Sequence, residues 1–299
     1  MTTYTETLHA GGFITGELPD CLSRKSGILA GGQNLVAGAV VGKITKAQAA
    51  APIPTIVGTG TGAMTALTFG PDIQTGSYVI TLLETSATAA FSVTAPDGTV
   101  LPTGNVGTAY TSTHLSFSIA NGGTMTTGDA YTVVVSAAGT PVLVGTGTGA
   151  VSGISLGPDA QNGAYRVQLL ATSATAEFEV IAPDGSKLKR GQVATAYTSS
   201  HVNFTLANGG TMTSGDYFVL IVAKGSGYYT ALAPTTYNGQ HVAAGVLFAD
   251  TDATSAAVAC VVIDNNAAVN DDELTWPTLG TAGKATARNQ LAARGIVCR

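Results

Sequence analysis

The sequence predicts a mainly β protein: a discontinuous β-rich domain with a short C-terminal helix, carrying two tandem β-sandwich modules. Three observations lead there. The stretch "SATAAFSVTAPDGTVLPTG" from Ser86 returns as "SATAEFEVIAPDGSKLKRG" from Ser173, inside an ungapped repeat. Apolar and polar residues alternate within each copy. The segments outside the repeat resemble neither the copies nor each other.

The repeat holds one register throughout. "VGTGTGA" starts at Val57 and again at Val144, an offset of 87 residues, and "GPD", "APDG", "TAYTS", "ANGGTMT" and "GD" recur at that same offset. About half of the aligned positions are identical. The period exceeds the 20 to 50 residues of solenoid repeats, so each copy is long enough to bury a core of its own.

Within the copies, "SYVITLLE" and "AYRVQLLA", "AFSVTAP" and "EFEVIAP", "HLSFSIA" and "HVNFTLA", and "AYTVVVSA" and "YFVLIVAK" have the period of two expected of half-buried strands. Pro96-Asp97-Gly98 and Pro183-Asp184-Gly185 are turn tripeptides, in which proline presets φ and glycine accepts a positive one. Asn121-Gly122-Gly123 and Asn208-Gly209-Gly210 mark a second turn. Several short strands with regular turn signals predict small antiparallel sandwiches of immunoglobulin-like architecture. The expected division is residues 55–140 and 141–227 for the modules, and 1–54 with 228–299 for a host domain interrupted by them.

In the flanks, "LVAGAVVGKIT" from Leu35 reads as one strand and "AQAAAPIPT" from Ala47 to Thr55 as a linker, its two prolines discouraging regular structure. "AAGVLFAD" and "AAVACVVIDNNAAV" are strand-like. "GKATARNQLAARGIV" reads as a short helix with Leu291 and Ile296 on its apolar side.

Composition narrows the function. Charged residues are only 10% of the 299, and the net charge is −5 with no basic stripe, which argues against nucleic acid as a partner. No charged start leads into an apolar run, and no apolar stretch reaches about 18 residues, so neither an export signal nor a membrane span is expected. Cys21, Cys260 and Cys298 are three widely spaced thiols, read as unpaired, with a structural disulfide as the alternative.

Chemistry is sparse. His9, His114, His201 and His241 have no partner at metal-ligand spacing, and no nucleophile, base and orienting group fall together. "GTGTGA" lacks the Lys-Ser/Thr of a phosphate loop and opens a strand module, so it reads as the entry to each module. Asp271, Asp272 and Glu273 with Asp264 have oxygen ligands suited to calcium, but no calcium-loop glycine or ligand alternation, and read as a solvated turn. Trp276, the single tryptophan, is expected in the core or at a subunit contact. No catalytic residue, metal or cofactor is expected.

The flanks carry a family resemblance. "HAGGFITGELPDCLSRKSGIL…GQNLVAGAVVGKIT" from His9 to Thr45, and "YNGQHVAAGVLFADTDATSAAVACVVIDNNAAVNDDELTWP" from Tyr237 to Pro277, together with "LAARGIV", resemble the head decoration, or capsid cement, proteins of lambda-like tailed phages. The double insert departs from the simplest members, which are little more than the joined flanks. The resemblance implies a homotrimer on the outer face of the expanded head, clamping the major capsid protein, and a virion location. It also implies an N-terminal arm that adds a strand to a capsid sheet edge. The matching residues are Thr3, Tyr4, Thr5, Glu6, Thr7, Leu8, His9 and, at the arm's end, Phe13. Their alternation and recurrent threonines suit strand addition, and a strand within the chain's own domain is the competing reading.

Two other functions compete with a purely structural one. The sandwiches could hold a host-surface glycan, a reading for which only Tyr110 and Tyr197 are placed as loop aromatics. A glycosidase would need paired carboxylates across a cleft, and the acids here are scattered in turns.

Overall fold

The computed structural model describes residues 8–49, 55–57, 62–121, 125–136 and 141–299. Contacts group the chain into two compact units, Met1–Thr45 with Gly225–Arg299, and Lys46–Lys224.

The first unit is built on a closed barrel of five short strands, in the order Arg24–Leu29, Tyr229–Ala231, Val40–Lys43, Ala243–Leu247 and Val258–Ile263. Two of these precede the insert and three follow it, so neither flank closes the barrel alone. Alternation gives the barrel strands two apolar faces. Val41, Leu247 and Val262 join Leu29, Tyr229 and Ala244 in one core. Their neighbours Val40, Val246 and Ile263 join a second core with Phe13, Val269, Leu291 and Ile296. That second core is covered by the helix Thr281–Ala292 and by a three-stranded sheet of Ile14–Glu17, Ala267–Val269 and Ile296–Cys298.

Two details differ from the sequence reading. The stretch from Leu35 to Thr45 is not one strand: it breaks at Gly38, whose φ of +80° ends one extended segment and starts the next. Nor do Leu291 and Ile296 share a helix face. Ala287 and Leu291, four apart, are the buried pair of the helix. Gly295 at φ +79° then turns the chain, and Ile296 opens a strand parallel to Ala267–Val269.

The second unit holds both copies of the repeat, each as two facing sheets. In the first copy a five-stranded sheet runs Val100–Asn105, Ala90–Thr94, Gly76–Leu82, Ala130–Val135, Thr55–Val57, and a three-stranded sheet runs Ala109–Tyr110, Leu115–Ile119, Met64–Phe69. In the second copy the three-stranded partner is Ala150–Leu156, Val202–Ala207 and Ala196–Tyr197. Its larger sheet contains Val142–Val144, Tyr217–Lys224, Gly163–Leu169, Glu177–Ile181 and Gly191–Gln192. The residues that alternate inward meet in each core around one aromatic trio. Phe91, Tyr110 and Phe117 lie 4.9 to 5.6 Å apart between ring centroids, and Phe178, Tyr197 and Phe204 lie 4.9 to 5.7 Å apart.

The linker reading is corrected in part. Lys46–Ala49 is a strand that pairs with Ile221–Lys224, because that edge of Tyr217–Lys224 offers unpaired backbone groups and Ala49 can bury there; residues 50–54 lie outside the described residues. Ala49, Ile221 and Ala223 pack into the core of the first copy. The last strand of the second sandwich therefore also completes the core of the first.

Candidate functional site

The arm's root is held by backbone bonds and two apolar anchors. Gly11 N–H donates to Phe248 O at 2.8 Å, and Asn270 N–H to Phe13 O at 2.8 Å. Gly11 requires its φ of +71° and its missing Cβ, which would stand 2.6 Å from the Phe248 ring. The Arg24 guanidinium lies 4.3 Å over that same ring and donates to Glu17 at 3.0 Å.

Of the residues assigned to the arm, Thr3, Tyr4, Thr5, Glu6 and Thr7 lie outside the described residues. His9 is exposed. Leu8 is half-buried and packs on the second core, and Phe13 is wholly buried in it. Phe13 is thus a core residue of the unit, not part of a contact surface: an aromatic ring gains more from the apolar layer under the helix than an exposed turn could provide.

Close in sequence, Leu18-Pro19-Asp20-Cys21-Leu22 forms an exposed apolar loop that the sequence reading did not single out. Leu22 is 64% exposed and Leu18 38%. Asp20 and Cys21 both have positive φ, +57° and +59°, which costs energy in two consecutive residues with side chains. The one signal was a proline followed by aspartate between leucines.

Trp276 is half-buried against the second core, with Lys284 Nζ 5.1 Å and the Arg288 guanidinium 6.0 Å from its ring. Both cations bond to Asp271, Lys284 at 2.9 Å and Arg288 through Nε at 2.8 Å. The Arg288 bond in particular holds the Asp271 carboxyl below its ordinary range. Asp271 therefore serves the helix and Trp276. Asp264 pairs with Lys25 at 3.5 Å instead, and among the described residues no three His, Cys, Asp or Glu side chains gather as metal ligands. The three cysteines are free: Cys21 exposed, Cys260 buried, Cys298 between.

The glycine-rich entry of the second copy cradles an anion after all, an internal one. Thr146 and Gly147 aim their N–H groups at the buried Asp216 carboxylate, at 3.1 and 2.7 Å. A side chain at Gly145 would collide with that carboxylate. In the first copy the corresponding glycines fall outside the described residues.

The histidines of the repeat sit in a duplicated polar network. Gln74 N–H donates to Tyr78 Oη at 2.9 Å, and that hydroxyl meets His114 Nδ1 at 2.9 Å. In the second copy Gln161 N–H meets Tyr165 Oη at 2.7 Å, and the hydroxyl meets His201 Nδ1 at 3.2 Å. Burial pushes the Tyr78 hydroxyl up to about 12. The glutamine amides reach the turn aspartates, Gln74 to Asp97 and Gln161 to Asp184, each at 2.8 Å. The loop-aromatic basis for glycan binding fails: Tyr110 and Tyr197 are buried in their aromatic trios, where their rings complete the cores and offer no stacking face.

A barrel unit with a held arm root and two copies of a sandwich define a mainly β protein. The family model described as "Bacteriophage lambda head decoration protein D" matches residues 3–296, spanning the flanks and the double insert together. The chain belongs to that family, a family of structural phage head proteins, which places it on the outside of the virion capsid. No curated protein and no solved structure matches it. No described helix is long and apolar enough to cross a membrane.

Proposed function

We propose that the chain binds the outer surface of the expanded phage head as a homotrimer and stabilises the shell, with residues Thr3 to His9 adding a strand to a sheet edge of the major capsid protein. In this reading the host domain made by the flanks sits on the capsid and the sandwiches, residues 55–140 and 141–227, face outward. Membership of the decoration family carries the reading. The arm's root supports it: the bonds of Gly11 and Phe13 fix the point from which the preceding residues leave. Three footprints on one particle act together, so weak single contacts give strong attachment. A protein that binds only the assembled shell stabilises it by mass action.

Deleting Thr2 to Thr7 tests this, since the cut stops short of the Leu8 and Phe13 anchors. The variant should keep its thermal transition and a light-scattering mass of three chains, yet fail to co-sediment with expanded empty capsids. Full binding by the truncated protein removes the arm from the mechanism, and a monomeric mass removes the trimer.

A further inference from the structure

The two copies of the repeat serve as controls for each other, and their difference in charge concentrates in one hairpin. Residues 57–136 contain no lysine or arginine, whereas residues 144–223 contain Arg166, Lys187, Lys189 and Arg190. Ala90, Pro102 and Thr103 of the first copy correspond to Glu177, Lys189 and Arg190 of the second. The backbone register does not change with them. In the first copy Val100–Asn105 is one strand, paired to Ala90–Thr94 from Val100 to Asn105 across a bulge. In the second the register is kept: Lys187 bridges Ile181, Leu188 N–H donates to Val180 O at 2.8 Å, and Gly191 and Gln192 pair with Phe178 and Glu177. Lys189 and Arg190 stand in the unpaired bulge that Pro102 and Thr103 occupy in the first copy, and a groove of about 320 Å³ lies between them and Thr195–Thr198.

From this divergence we propose that the second sandwich binds an acidic saccharide, a sugar chain bearing ring carboxylates, in the groove between Lys189-Arg190 and Thr195–Thr198. Lys189 is exposed, has no acidic partner among the described residues, and lies 5.6 Å from the Tyr197 ring. Tyr197 Oη donates to the Lys189 carbonyl at 3.0 Å, which fixes the backbone from which that ammonium projects. Among the described residues Arg190 has one ionic partner, an exposed pair with Glu177 at 3.3 Å, a bond weak enough to exchange for a ligand carboxylate. The guanidinium is suited to bidentate carboxylate binding. Glu177 sets the rest of the specificity. Its negative charge, with the hydroxyls of Thr195 and Thr198 and the Gln192 amide, supplies acceptors for sugar hydroxyls and opposes dense polyanions. Two cations against one carboxylate leave a single positive charge, matched to one carboxylate per binding register. The groove belongs to the insert, so the proposal stands apart from capsid binding by the arm.

Calorimetric titration of the full-length protein with three probes tests it: oligoguluronate, with carboxylates and hydroxyls; oligodextran, with hydroxyls alone; and oligoglutamate, with carboxylates alone. Oligoguluronate should bind once per chain and the other two at least tenfold more weakly. The double variant Lys189→Thr, Arg190→Thr should lose at least tenfold in affinity. Threonine already occupies the Arg190 position in the first copy, so the substitution is compatible with the fold, and an unchanged thermal transition checks that. Grafting Ala90→Glu, Pro102→Lys and Thr103→Arg onto the first copy should raise the stoichiometry towards two. No oligoguluronate binding, binding untouched by the double variant, or equal binding of oligoglutamate would each overturn the assignment.

Discussion

At the residue scale, the duplicated turn aspartates have the most specific surroundings. The Gln74 side chain, together with the Thr99 N–H at 2.9 Å, holds Asp97 at about 2, and Ser186 with Gln161 does the same for Asp184. A carboxylate whose folded value lies below its unfolded one stabilises the fold above the ordinary value of 3.8, and that contribution is lost as pH falls towards 2. The melting temperature should therefore drop between pH 4 and pH 2, and Asp97→Asn with Asp184→Asn should flatten that part of the profile relative to wild type in scanning calorimetry. An equally steep profile in the double variant would assign the acid sensitivity to other carboxylates. The turn itself was legible from Pro-Asp-Gly. The glutamine and histidine partners were not, because they are brought in by other strands.

At the element scale, the hairpins depend on glycines whose role is closeness. A Cβ on Gly191 would stand 2.3 Å from Phe178 Cζ and 2.7 Å from Tyr197 Cδ2, and Gly104 is equally close to Phe91 in the first copy. The strand passes over the aromatic trio with no room for a methyl group, so Gly191→Ala should destabilise the second sandwich by about 1–3 kcal/mol through forced repacking. Urea unfolding with Trp276-independent far-ultraviolet detection would show it, and a midpoint shift of nil would mean that the strand moves aside freely. Four strands of each copy, among them Gly76–Leu82 and Gly163–Leu169, followed from alternation; Met64–Phe69, Val100–Asn105 and Ala150–Leu156 did not. The bulge that takes Pro102 and Thr103, and likewise Lys189 and Arg190, out of the ladder was not legible, since it arises only where the strand crosses its partner.

At the scale of the whole molecule, the two ends of the insert meet. Gly225 N–H donates to Thr45 O at 2.9 Å, so the host unit holds its own cut ends together. Such adjacency is the condition under which domain insertion is tolerated. Replacing Lys46–Lys224 by a turn of roughly two residues, the shortest common hairpin connection, should leave a folded barrel unit that still co-sediments with expanded capsids. An unfolded product, judged by loss of a cooperative thermal transition, would show that the host unit depends on its insert.

The sequence by itself determined the duplication, the β class and, through the order of its flanking segments, the decoration family. These are properties of periodicity and order, which neighbouring residues carry without reference to distant ones. Only the tertiary structure decided that Phe13 is an anchor of the core, that Tyr110 and Tyr197 are buried, that Ala49, Ile221 and Ala223 complete the first sandwich, and that the Gly145–Gly147 loop wraps Asp216. Each of these depends on which strands become neighbours. Burial and hydrogen-bond satisfaction are settled by contacts between residues far apart in the chain, and local pattern does not encode that pairing.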